Sequence, residues 1–264
     1  MAYDFGGFHL LSSLSALLGA VFIQIGTNYA NDYYDFKKGA DSENRLGPTR
    51  VTQAGLVSPQ KVRNAAFISF ALAFVFGIYL VLRGGAPIVI IGLSSIAFGI
   101  LYTAGPFALG YKGLGEIFVL IFFGPVAVGG TYYVQTLNIN WPVIIAGLSP
   151  GLISVGILTI NNLRDIQSDT VAGKRTVSVR FGATYSKAQY TCAIFLASII
   201  PLILWLETDS HPAAVAAILT LPAALPAIKK VFTYQSGTEL NQVLENTGKL
   251  LLLYGVLFSI GWLL

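Results

Sequence analysis

Polar residues are sparse in this chain and fall in bursts between long apolar stretches. An apolar run of about 20 residues crosses the hydrocarbon core of a bilayer as a helix. Eight such runs recur: Leu10–Asn28, Val62–Val81, Ile88–Thr103, Gly115–Tyr133, Val143–Leu163, Tyr185–Leu206, Ala213–Phe232 and Leu250–Leu264. The pattern predicts an all-α, polytopic bundle of eight transmembrane helices, the third and last being the shortest. No polar linker or low-complexity segment divides residues 1–264, which read as a single transmembrane domain. The first run ends in a polar motif where a signal peptide would have a small-residue cleavage site, so it is a span. Gly124-Pro125 and Pro150-Gly151 lie inside spans and predict kinks there.

Composition agrees with lipid as the solvent. Hydrophobic types make up 55% of the chain and charged types only 11%, against about 25% charged in soluble domains. With the spans alternating, every Lys and Arg except Arg83 falls on one side of the membrane. The positive-inside rule makes that side cytoplasmic. A nucleic-acid surface would not need this alternation, so nucleic acid is excluded as a partner. The lone Cys192 sits in an apolar helix and cannot form an internal disulfide.

The bursts carry the chemistry, and they repeat. A motif helix over residues 10–35 ends in Asn28, Asn31, Asp32 and Asp35, then meets a loop with Asp41, Arg45 and Gly47-Pro48-Thr49-Arg50. A second over residues 143–169 ends in Asn161, Asn162, Asp165 and Asp169, then meets Lys174, Arg175 and Thr176. Such a repeat points to a duplicated multi-helix unit, parallel because both copies end on one membrane side. The second copy has Gly115–Tyr133 ahead of its motif helix. The first has only Met1–His9, which predicts that one N-terminal helix of the plan is absent.

Asn28, Asn31, Asp32 and Asp35 stand at i, i+3, i+4 and i+7, and Asn161, Asp165 and Asp169 at i, i+4 and i+8. Each set makes one stripe on a helix, with Asn162 beside the second. An aspartate deep in a membrane helix costs roughly 2.5–3.5 kcal/mol, and clustered carboxylates repel. Divalent cations offset both. Mg²⁺ takes one or two carboxylates and completes its shell with water and phosphate oxygens. Asp32, Asp35, Asp165 and Asp169 are therefore the expected ligands of two Mg²⁺ ions sharing one diphosphate. The asparagines add neutral ligands or donors. Arg45, Arg50, Lys174 and Arg175 supply phosphate-binding cations. A helix end in contact with water would explain one such motif. Two copies with matched asparagines and basic flanks favour the metal site.

The segment from Tyr102 to Glu116 is the other unusual cytoplasmic stretch. Its glycines allow tight turns, and Lys112 among them reads as a reach onto phosphate. Asp35, Asp165, Lys112 and Tyr102 are the residues expected to carry catalysis. Phe122, Phe123, Tyr132 and Tyr133 serve packing or wall an apolar tunnel. His9 and His211 lie near the outer face without metal-ligand spacing. No GxSxG, CxxC or phosphate-binding P-loop motif occurs.

At these residues the chain resembles the UbiA superfamily of intramembrane aromatic prenyltransferases. Asn31-Asp32-Tyr-Tyr-Asp35 and Asp165-Ile-Gln-Ser-Asp169 resemble its two Asp-rich motifs. Asn31–Pro59, Tyr102–Glu116, Phe123-Gly-Pro125 and Asn161–Gly182 are most similar to its 1,4-dihydroxy-2-naphthoate polyprenyltransferases. The resemblance implies nine helices around a central cavity, one more than this chain supplies. It places the third acid of the first motif at Gly39, whereas this sequence offers Asp41. It implies Mg²⁺-dependent transfer of a polyprenyl group from its diphosphate to the naphthoate with loss of the carboxyl group, giving a demethylmenaquinone. It also implies a cell inner membrane location. Other aromatic acceptors, such as 4-hydroxybenzoate or homogentisate, are the first alternative. A transporter is the second, since intramembrane acids also mark ion routes; these acids lie at helix ends beside phosphate-type cations, which favours the enzyme.

Overall fold

A computed structural model describes residues 1–40 and 46–264. Among the described residues it is helical throughout, with no strand. The helices are α1 (Leu10–Lys37), α2 (Pro59–Gly84), α3 (Ala86–Leu101), α4 (Gly115–Ile121), α5 (Ala127–Thr136), α6 (Trp141–Arg164), α7 (Ile166–Val171), α8 (Val177–Thr208), α9 (Thr220–Thr233) and α10 (Leu240–Leu263). In lipid each backbone polar group needs an internal partner, which a helix supplies within one segment. That constraint is why apolar runs alone located nearly every element.

The count of eight spans needs one correction. Seven helical stretches among the described residues are long and apolar enough to cross a membrane, and α3 is a shorter apolar helix. Its 16 residues rise about 24 Å at 1.5 Å each, less than a core of about 30 Å. The last span is longer than its apolar run, because α10 begins at Leu240. The expected kink at Gly124-Pro125 is present. Gly124 leaves helical geometry (φ −106, ψ −111), and a wide turn over Phe122–Val126 joins α4 to α5. Pro150 lies inside α6, which stays helical on both sides of it.

α6 is the axis of the bundle: 61% of its apolar window is buried, against 22% for α1 and α2. It packs along α8, and with α9 and α10 encloses the main core around Ile153, Ile160, Tyr190, Ile194 and Val243. Two buried hydroxyl pairs lie there, Tyr190 with Thr247 at 2.9 Å and Ser198 with Thr220 at 3.1 Å. Three glycines let the wide turn lie against α6. A Cβ on Gly147 would come within 3.0 Å of Gly124 and Pro125 backbone, and one on Gly151 within 2.7 Å of the Leu120 carbonyl. The other half of the chain, α1 to α5, closes less tightly and leaves room inside.

Candidate active site

Both acidic motifs end in the same helix cap. After α1, Gly39 takes φ +65, and the N–H groups of Gly39 and Ala40 bond the carbonyls of Phe36 and Asp35 at 3.0 and 2.9 Å. After α7, Gly173 takes φ +70, and the N–H groups of Gly173 and Lys174 bond Thr170 and Asp169 at 3.1 and 2.8 Å. This nested pair of bonds is the Schellman arrangement, which needs a left-handed residue and so favours glycine. Gly39 thus serves the cap, at the position where the family pattern has an acid. In each copy an aspartate occupies the last turn, where the helix dipole disfavours negative charge.

Cations answer that cost. The Lys174 ammonium lies 3.6 Å from Asp35 Oδ2 and 3.6 Å from Asp169 Oδ1, bridging the two motifs. Arg50 Nη2 lies 3.9 Å from Asp35 Oδ2, and the Tyr111 hydroxyl donates to Asp35 Oδ1 at 2.7 Å. Burial pushes the Asp169 carboxyl up to about 6, with Lys174 opposing and the nearby Asp165 and Asp35 reinforcing. These groups wall a polar chamber of about 440 Å³ at the helix ends.

From the first motif Asn28, Asn31 and Asp35 reach the chamber, with Arg50 from the following loop. From the second come Asn161, Asn162, Asp165, Asp169 and Lys174, and Tyr102 lies at the inner boundary. The expected stripe on one continuous second helix is broken, since Asp165 (φ −99, ψ 12) separates α6 from α7. Asp32 is buried off the chamber wall, and its Oδ1 has no hydrogen-bond partner among the described residues. Lys112 and Arg175 are exposed and lie outside the lining; Lys112 Nζ sits 5.8 Å from the Phe107 ring centroid. Arg45 and Asp41 lie outside the described residues.

Several contributors escaped the sequence reading. Tyr111 is one. Thr103 is another, donating to Asn31 Oδ1 at 2.9 Å. Lys38 donates to the carbonyls of Thr103 and Gly105 and sits 4.4 Å from the Tyr111 ring centroid, pinning this loop over the acids. Glu116 accepts from Asn162 Nδ2 at 3.1 Å. Arg164 is buried and pairs with Asp165 at 2.6 Å. The glycine-rich loop was a signal for Tyr111, but the expectation fell on its neighbour Lys112.

Below the polar chamber lies an apolar one of about 650 Å³, and Asn28, Asn31, Tyr102 and Phe123 line both. Phe98, Phe118 and Phe122 form an aromatic wall, with the first two centroids 4.7 Å apart. Phe122 and Phe123 are thus tunnel residues. Tyr132 and Tyr133 instead pack: Asn140 donates to the Tyr132 hydroxyl at 3.1 Å, and Tyr133 donates to the Gly84 carbonyl at 3.0 Å. Phe74, Leu82 and Leu93 line the apolar chamber yet are more than half exposed, so it opens sideways where lipid would lie.

The donor set fits a hard divalent cation. Its carboxylates converge from two helix ends onto one positive group. Among the described residues no three acids close on one point. An ion here would use one or two carboxylates and take its other oxygens from water and substrate, as Mg²⁺ does.

This geometry has counterparts. The model of the UbiA prenyltransferase family matches residues 1–258. A 1,4-dihydroxy-2-naphthoate octaprenyltransferase of Mycobacterium tuberculosis is 38% identical over 92% of this chain and 82% of its own length. An Escherichia coli protein of the same name is 34% identical over 99% of this chain and 87% of its own. The structure of a UbiA homolog from Archaeoglobus fulgidus, bound to DMAPP and Mg²⁺, superposes with a TM-score of 0.65 at 13% identity, over 96% of this chain and 89% of that one. With its two acidic helix ends over an apolar chamber, this multi-pass membrane protein belongs to the UbiA prenyltransferase family.

Proposed function

We propose that this enzyme transfers a polyprenyl group from its diphosphate to 1,4-dihydroxy-2-naphthoate. The ring loses its carboxyl group as CO₂, giving a demethylmenaquinone precursor of menaquinone. The observation that carries this reading is the meeting of both acidic motifs on Lys174 at the mouth of an apolar chamber. A molecule with an anionic head and a long hydrocarbon tail matches that division. The names of the Mycobacterium tuberculosis and Escherichia coli relatives support the naphthoate as acceptor.

Two Mg²⁺ ions, one near each motif, would be held by Asp35, Asp165 and Asp169 and would neutralise the departing diphosphate. The DMAPP and Mg²⁺ of the archaeal homolog support the choice of metal. Arg50 and Lys174 add fixed positive charge on the same side, where negative charge develops as the bond breaks. Asn28, Asn31, Asn161 and Asn162 offer amide donors and acceptors to phosphate and metal. The ring faces of Phe98, Phe118 and Phe122 attract positive charge and keep the chamber dry, which suits an allylic cation that water would quench. The acids and cations lie on the cytoplasmic side of the cell inner membrane, by the positive-inside rule.

The test is transfer in detergent from a labelled polyprenyl diphosphate to dihydroxynaphthoate, 4-hydroxybenzoate and homogentisate, with Mg²⁺ or EDTA. Dihydroxynaphthoate should be the preferred acceptor, and EDTA should abolish transfer. Preference for another acceptor, or transfer surviving EDTA, overturns the reading.

A further inference from the structure

Arg164 ends α6 at 4% exposure, an expensive place for a charge. Each of its guanidinium nitrogens is engaged. Nε donates to Asp165 Oδ1 at 2.8 Å, and Nη2 donates to Asp165 Oδ2 at 2.6 Å and Asn161 Oδ1 at 2.7 Å. Nη1 donates to Asn241 Oδ1 at 2.8 Å, and Asn241 Nδ2 passes the link to the Leu46 carbonyl at 2.8 Å. Leu46 stands four residues before Arg50. Gly47 rests on the same guanidinium, where a Cβ would come within 2.7 Å of Nη2.

We infer that Arg164 is a positioning residue: it aims Asp165 and Asn161 at the chamber and ties the second acidic motif to the loop that carries Arg50. Three features support this. Asp165 lies outside regular helix, so its backbone alone does not hold its carboxylate. A two-pronged guanidinium fixes both the position and the plane of a carboxylate, which a lysine ammonium cannot do. By holding the Asn161 carbonyl, Arg164 also leaves that side chain's amide hydrogens as the groups offered to the chamber. A plain counterion would need only charge. The contacts to Asn161 and Asn241 would then have no purpose, and lysine would serve equally well.

The inference rests on the metal-diphosphate reading of the site, and its test keeps the two apart. Arg164→Lys keeps the charge and loses the fork. Asn241→Ala keeps Arg164 and cuts the link to Leu46. Mn²⁺ affinity is read by electron paramagnetic resonance in detergent with inorganic diphosphate present, beside kcat, the half-activating Mg²⁺ concentration and the acceptor KM. Loss of an outer partner of a metal ligand weakens metal binding roughly 10–100-fold. Arg164→Lys should therefore weaken Mn²⁺ at least about tenfold, with a matching rise in half-activating Mg²⁺ and a fall in kcat, while acceptor KM stays within about twofold. Asn241→Ala should shift the same quantities in the same direction by less. A folded Arg164→Lys protein with wild-type Mn²⁺ affinity and kcat overturns the inference. If that variant does not fold, wild-type values for Asn241→Ala overturn it. A wild type that binds Mn²⁺ but transfers no prenyl group defeats the functional reading, and the Mn²⁺ affinities of the variants still decide the role of Arg164.

Discussion

Replacing Asp35 with asparagine removes a charge and keeps a shape. Asp35 is 3% exposed, and its carboxylate faces Lys174 at 3.6 Å, Arg50 at 3.9 Å and the Tyr111 hydroxyl at 2.7 Å. At an effective dielectric of about 20, a unit charge pair at the Lys174 distance is worth about 5 kcal/mol before desolvation, which cancels most of it. Two contacts limit the damage to the fold. Asparagine still accepts from Tyr111, and Lys174 keeps Asp169 at 3.6 Å. The net stability loss should be about 1–2 kcal/mol, the scale of one charge-assisted hydrogen bond. Catalysis should lose more. A preorganised group that acts on the charge of the transition state is worth about 10²–10³ in rate, and Asp35 is also a proposed metal ligand. Asp35→Asn should therefore lower kcat at least about 100-fold. Its apparent melting midpoint in detergent should fall by only a few degrees, at about 2–4 °C per kcal/mol. Initial rates at saturating Mg²⁺ and substrates, together with a melting curve on the same preparation, measure both. A kcat within about threefold of wild type would refute the assignment of Asp35, since so small a change is under 1 kcal/mol of barrier.

Lys174→Ala should cost at least about 100-fold in kcat, whereas exposed Lys112→Ala should stay within about threefold; equal losses would restore Lys112 to the site. Gly92 lines the apolar chamber with open space where a Cβ would stand. Gly92→Phe should lower kcat/KM for a polyprenyl diphosphate about tenfold or more while sparing dimethylallyl diphosphate, and parallel losses for both would show that the tail does not lie there. Gly151→Ala forces a Cβ to 2.7 Å from the Leu120 carbonyl and should destabilise by about 1–3 kcal/mol. Gly248→Ala, with nothing within 4 Å, should be neutral or stabilising; melting curves of both in detergent decide whether that crossing is as close as described.

The sequence made the spans legible because lipid leaves the backbone so few options. An apolar run had to be a helix, and the acids at its end had to be compensated. That the two acidic stripes could face each other across one cavity was readable for the same reason, since clustered carboxylates in a bundle need compensating charge. What failed depended on tertiary contacts. Arg164, beside the break at Asp165, is tied to Asn241, which lies 77 positions away. Spacing along α6 carries no trace of it. Tyr111 and Lys112 share the short turn Gly110–Lys112. That turn presents the phenol to Asp35 and leaves the ammonium exposed, so residue type favoured Lys112 while geometry favoured its neighbour. Lys38 read as a topology charge and instead holds the loop carbonyls of Thr103 and Gly105. The shortness of α3 was visible in its apolar run, but its role as a wall of the apolar chamber needed the packing of Phe98 against Phe118.

The proposed reaction joins three events: metal-dependent loss of diphosphate, attack by the naphthoate ring and loss of its carboxyl group. Release of labelled CO₂ from carboxyl-labelled 1,4-dihydroxy-2-naphthoate, followed beside formation of the prenylated product, tests all three together. With a polyprenyl diphosphate and Mg²⁺, CO₂ and product should appear in equal amounts, neither should form in EDTA, and both should fall together with Asp35→Asn. A prenylated product that retains the label, or CO₂ release that needs no prenyl diphosphate, would contradict the account.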